Sequence, residues 1–98
     1  MEIVKSIENN ILKITLSGRL DTNTAPELET VISEEIGGKD LLEIDFKKLD
    51  YISSAGLRVL LSAQKIMNKQ GKMVLKNVNE TVMEIFEITG FSDILNIE

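Results

Sequence analysis

The stretch Leu41-Leu42-Glu43-Ile44-Asp45-Phe46 does most to limit what this chain can fold into. Its near-continuous apolar start predicts a strand covered on both faces, and such a strand lies inside a sheet. Tyr51-Ile52-Ser53-Ser54-Ala55-Gly56-Leu57 follows, and from there Leu57, Leu60, Leu61 and Met67 fall near helical spacing, with Gly71 as the stop. A buried strand thus hands the chain to a helix through two serines. The first amide N–H groups of a helix have no partner within it, and the peptide dipoles leave that end slightly positive. A serine side chain there can cap the helix, and a phosphate placed there meets free donors. Gly56 lacks a Cβ, so another backbone or a ligand can come close beside the hydroxyls. This stretch is the candidate functional site.

The flanking chain supplies the rest of a sheet and its helices. Residues 2–8 form a short apolar segment around Ile3, Val4 and Ile7, and Asn9-Asn10 is a turn pair, since asparagine tolerates positive φ. Leu12, Ile14 and Leu16 alternate with Lys13, Thr15 and Ser17, which predicts a half-buried strand forming an antiparallel hairpin with the first. The loop Gly18-Arg19-Leu20-Asp21-Thr22-Asn23 carries one notable acid, Asp21. Thr24 then reads as an N-cap and Glu27 as the other half of a capping box, with Pro26 tolerated in the first turn. Leu28, Val31, Ile32 and Ile36 make the apolar stripe of that helix, and Gly37-Gly38 end it. Lys72-Met73-Val74-Leu75 is strand-like; Asn79 caps a third helix that Gly90 closes. The tail Ile94-Leu95-Asn96-Ile97 is apolar enough to dock as a last strand or turn of helix. The order is β-β-α-β-α-β-α plus a short terminal element. Alternating strands and helices require crossovers, so the expected fold is α/β, with a mixed four- to five-stranded sheet flanked by helices.

At 98 residues the chain holds one core and not two, so residues 1–98 read as a single, monomeric domain. A net charge of −5, with basic residues dispersed along the sequence, argues against a general nucleic-acid surface. Without cysteine there is neither a disulfide framework nor a thiolate site. Without histidine the usual zinc ligands and the commonest general base near neutral pH are also missing. Nothing approaches the length of a signal peptide or a membrane span, so a cytoplasmic location without membrane insertion is expected.

The serines also admit a plain reading, in which one caps the helix and the other is a small turn residue. Hydrolysis is disfavoured, because the pattern Gly-x-Ser-x-Gly is absent and only Lys65 or Lys72 could serve as a base for Ser54. Asp21 reads equally as a turn acid bonding its own backbone and as a group at the sheet end where Ser54 emerges.

Asp45-Phe46 leading through Tyr51–Leu57, together with Gly18-Arg19-Leu20-Asp21, closely resembles the STAS domains of bacterial anti-sigma-factor antagonists. The likeness covers essentially the whole chain and includes Phe86-Glu87-Ile88-Thr89-Gly90-Phe91 near its end. It implies a regulatory module, not an enzyme, that uses no cofactor or metal. Members bind an anti-sigma factor that is also a serine kinase and thereby release a sigma factor. The kinase phosphorylates a serine at the start of the second helix, which abolishes binding, and a phosphatase reverses this. The serine matching the phosphoacceptor is Ser54, and Asp21 matches an acid near it. The implied partner surface comprises Asp21, Thr22, Ser53, Ser54, Ala55, Gly56 and Arg58. Many members carry an aspartate immediately before the acceptor, where this chain has Ser53. The rival within the family is an accessory subunit of another assembly, such as a lipid-transport complex or a stress-signalling scaffold, without a phosphorylation switch.

Overall fold

The alternation at Leu12, Ile14 and Leu16 and the Asn9-Asn10 turn produce the hairpin they predict. In the computed structural model, which describes residues 1–98, β1 (Glu2–Glu8) pairs antiparallel with β2 (Ile11–Leu20). Asn9 takes the left-handed conformation at φ 55°. After α1 (Ala25–Glu35), β3 (Leu41–Ile52) adds parallel to β2. After α2 (Ser54–Gln70), β4 (Lys72–Lys76) adds parallel to β3. The result is a four-stranded mixed sheet in the order β1-β2-β3-β4, followed by α3 (Glu80–Thr89) and a 3₁₀ turn, Phe91–Asp93. The tail docks in the strand-like way: after the 3₁₀ turn, which precedes it, Ile97 makes a single parallel bridge to Leu75, beside β4.

Leu12, Ile14 and Leu16 of β2, Leu42, Ile44 and Phe46 of β3, and Met73 and Leu75 of β4 point to one side and are buried. With the inward faces of the helices they form one hydrophobic cluster of 23 residues, which includes the edge-to-face pair of Phe46 and Phe86. Asn79 caps α3 as expected: its side chain accepts the Val82 N–H at 2.8 Å and donates to the Leu49 carbonyl at 2.7 Å.

Three details depart from the sequence reading. First, β3 is interior to the sheet but buried mainly on one face. Leu41 is half-buried, and Glu43 and Asp45 follow it on the outer side, where Glu43 pairs with Lys76 and Asp45 accepts from Asn77. Second, β3 runs on to Ile52 instead of stopping at Phe46. It carries one extra residue relative to β2 at two places, and each bulge turns the next apolar side chain back inward. Phe46, Leu49 and Ile52 are therefore all buried at a spacing of three. Third, Gly71 does more than end α2. A Cβ there would run into the Asp40 backbone carbonyl, the group that accepts the Lys72 N–H at 2.9 Å and starts the pairing of β4.

Candidate functional site

Because β2 and β3 run parallel, both end at the same edge of the sheet, the end where α/β sheets generally present their sites. The Ser53 N–H donates to the Leu20 carbonyl at 2.8 Å and ties the turn after β3 to the loop after β2. The Asp21 loop and the serines are thereby neighbours, as the sequence suggested.

The two serines have different surroundings. Ser53 is the N-cap of α2, with extended backbone (φ −101°, ψ 176°), and its carbonyl accepts the Leu57 N–H at 3.0 Å. Its hydroxyl makes no capping bond; Oγ is buried and has no hydrogen-bond partner. Ser54 is the first helical residue and is exposed. The start of α2 therefore keeps its amide donors free of any side-chain cap, with the accessible hydroxyl of Ser54 beside them.

Asp21 organises its own loop. Its carboxylate accepts the N–H groups of Asn23 at 3.0 Å and Thr24 at 3.2 Å, and its carbonyl accepts the Ala25 N–H at 2.8 Å. The predicted capping box at Thr24 does not form. Thr24 instead donates its hydroxyl to the Arg19 carbonyl at 2.7 Å and accepts the Asp21 N–H at 2.8 Å, leaving the start of α1 to Asp21. Desolvation pushes the Asp21 carboxyl up, but these backbone bonds, the Thr24 hydroxyl and the charge of Arg19 together hold it below its usual range. It is thus ionised at neutral pH. Arg19 lies 3.8 Å from it and stacks 4.4 Å over the Tyr51 ring. Asp21 makes no hydrogen bond to either serine.

Thr22, Ala55 and Arg58 line a cleft of about 340 Å³ between the starts of α1 and α2. Its other walls are Ala25, Pro26, Glu29, Val59 and Ser62, none of which the sequence reading placed at the site. They are found only once α1 is known to pack on α2. Arg58 is exposed, one helical turn beyond Ser54.

Gly56 differs from the surface residues around it because it is buried. Its missing Cβ makes room for the core and not for a ligand. A Cβ would stand 2.7 Å from Leu20 Cγ and 2.8 Å from Ile52 Cγ1. Gly56→Ala gains about 1 kcal/mol of helix preference but forces two fully packed branched side chains to move, which typically costs about 1–3 kcal/mol. A net loss of roughly 1 kcal/mol is expected. It would appear as a lower denaturation midpoint with an unchanged m value.

Neither lysine that could have served Ser54 as a base is near it. Lys65 is eleven residues along the same helix, a rise of about 16 Å. Lys72 pairs with Leu41 at the opposite end of the sheet. No helix is long and apolar enough to cross a membrane.

A small mixed sheet with a serine helix start at the ends of its parallel strands places this chain among the STAS domains. The chain belongs to that family: the STAS domain model matches residues 2–98. An anti-sigma-B factor antagonist of Bacillus subtilis is 36% identical over 96 residues, which cover 96% of this chain and 86% of the relative. Among solved structures, an anti-sigma factor antagonist from Mycobacterium paratuberculosis matches with a TM-score of 0.88 at 20% identity, covering 98% of this chain and 83% of that one. The Bacillus cell fate determinant SpoIIAA in its phosphorylated form matches with a TM-score of 0.78 at 20% identity, covering 99% and 91%.

Proposed function

We propose that the protein is an anti-sigma-factor antagonist that binds a kinase-type anti-sigma factor and so releases a sigma factor. Phosphorylation of Ser54 switches it off, and a phosphatase restores it. The observation that carries this reading is the contrast at the start of α2, where the Ser54 hydroxyl is exposed while Ser53 Oγ is buried. Phosphoryl transfer needs an acceptor hydroxyl in line with the γ-phosphate, and a helix start holds Ser54 rigidly while leaving it accessible. The name of the Bacillus subtilis relative and the existence of a phosphorylated protein of this fold support the same reading.

In this reading Asp21, Thr22, Ser53, Ser54, Ala55, Gly56 and Arg58 make up the partner surface in two ways. Thr22, Ser54, Ala55 and Arg58 meet the partner. Asp21, Ser53 and Gly56 hold the two loops and the helix start in place. The protein acts in this reading as a regulatory module and not as an enzyme, and neither lysine that could have served Ser54 as a base lies near it.

The test is incubation with ATP and a candidate kinase-type anti-sigma factor, followed by phosphopeptide mapping. Ser54→Ala is expected to abolish phosphate incorporation, and Ser53→Ala to leave it intact. Phosphate mapped to Ser53 would overturn the assignment. An absence of both binding and phosphorylation would favour the accessory-subunit alternative.

A further inference from the structure

The cations look scattered along the sequence, but the fold gathers three of them. Between Asp50 and Glu80 there is no acidic residue, although the whole chain has sixteen, and this interval contains Arg58, Lys65, Lys69, Lys72 and Lys76. Helix α2 lies entirely within it. At 100° per residue, Ser54, Arg58, Ser62, Lys65 and Lys69 fall within an arc of about 80° and a length of about 22 Å. All five are exposed, while Leu57, Leu60, Ala63 and Met67 point the other way into the core. None of the three cations forms an ion pair, whereas Lys5, Arg19 and Lys76 each have a carboxylate partner. The nearest acid named with them is Glu29 of α1, which lines the cleft beside Arg58 and Ser62 without pairing to either.

We propose that this exposed face of α2 is a docking strip for a complementary acidic surface of the protein partner, running from Ser54 to Lys69. The inference rests on the reading of the protein as a partner-binding antagonist and extends it by naming the partner's chemistry. Lys13, Lys39, Lys47, Lys48 and Lys72 are unpaired as well. Only on α2, however, do three unpaired cations line one helix face with no acid on that helix, and on a protein of net charge −5 such a face is the one an acidic partner approaches. A nucleic acid fits less well, because the strip has only three cations, no aromatic side chain for base stacking, and sixteen carboxylates on the same small domain. The strip also starts at the proposed phosphoacceptor. A phosphate of about −1.5 to −2 at Ser54 would cancel most of its charge.

Two charge reversals with the same net charge separate the strip from the rest of the molecule. Lys65→Glu/Lys69→Glu alters the strip, while Lys13→Glu/Lys72→Glu alters exposed lysines on the sheet face turned away from the helices. Amide resonances are first followed as an oligoglutamate peptide is added to the ¹⁵N-labelled protein. Shifts are expected at Arg58, Ser62, Lys65 and Lys69, fading with added salt, absent in the strip variant and kept in the control. Association with the anti-sigma factor is then timed by stopped flow. The strip variant should associate about tenfold more slowly or worse at low salt, and the control within about twofold of the native chain. Peptide shifts spread over all lysines, equal slowing in both variants, or tighter binding to oligothymidylate than to the peptide would each overturn the proposal. If the native chain binds no anti-sigma factor, the functional reading falls, and the peptide titration still decides whether this face selects an acidic ligand.

Discussion

Phosphorylated protein is expected to bind its anti-sigma factor at least about a hundredfold more weakly than unmodified protein, with the fold unchanged. The estimate follows from charge. A phosphate brings about −1.5 to −2 charges to the first residue of α2. Free amide donors at the helix start and Arg58 one turn away welcome it in the free protein, so the modification does not unfold the helix. In the proposed complex the same dianion would have to lose its water against a kinase-type partner whose nucleotide is itself anionic. Desolvating an unpaired charge costs several kcal/mol, and about 1.4 kcal/mol already changes affinity tenfold. Ser54→Asp carries a single charge on a shorter side chain, so about a tenfold loss is expected from it. Ser54→Ala removes the hydroxyl and little volume, so it should bind within about twofold of native and cannot be switched off. Titration calorimetry of the four forms gives the order directly. Equal affinity for phosphorylated and native protein would remove the switch.

How much of this was legible in the sequence depended on which period each element obeys. The alternation in Leu12–Leu16 and the helical stripe of Leu57, Leu60 and Met67 follow ordinary periods, and both elements form where those periods place them. The second half of β3 was not legible. Its two bulges put Phe46, Leu49 and Ile52 inward at a spacing of three, which matches neither a strand nor a helix over so short a run. Thr24 and Glu27 carry the residues of a capping box, yet a local competitor prevails: Asp21 takes the Thr24 N–H that Glu27 would have bonded, and the Thr24 hydroxyl turns to the Asp21 N–H and the Arg19 carbonyl. At the site, the pair of serines was legible but their difference was not. Only the fold buries the hydroxyl of Ser53, whose N–H meets the Leu20 carbonyl, and leaves that of Ser54 out. The glycines were legible only in part. Gly56 reads as room for another backbone or a ligand, while in space it makes room for the Leu20 and Ile52 side chains; Gly71 ends α2 as it reads, and its second role against the Asp40 backbone shows only in space. The cationic strip could have been read from the sequence by applying the helical period to the polar residues of α2.

Ile44→Ala is expected to be the most destabilising single change among those considered, by about 3–5 kcal/mol. The side chain is fully buried, with Leu42 and Phe46 on either side along β3 and Ile14 and Leu75 opposite it on the neighbouring strands. Truncating a buried isoleucine to alanine costs about 2–5 kcal/mol, and the value depends on how far the surroundings collapse into the space. Here collapse is resisted. The flanking strands are fixed by backbone hydrogen bonds on both sides of β3, and the helices above them share the same core cluster. The upper part of the range applies. For a domain of this size about 1 kcal/mol moves the melting temperature by roughly 4–8 °C, so a fall of roughly 12–40 °C should be seen by circular dichroism. Ile66→Ala is the matching control. Ile66 lies on α2 but is 41% exposed, and its loss should cost about 0.5 kcal/mol or less. The core variant also bears on the switch. Ser54 is held by a helix that packs on this core through Leu57, Leu60 and Met67. At a temperature where the Ile44→Ala protein is still folded, its phosphorylation rate should match the native protein's, and above its melting point the rate should fall as the helix start is lost. A rate that persists in the unfolded chain would mean that the kinase reads the local sequence around Ser54 and not the helix start.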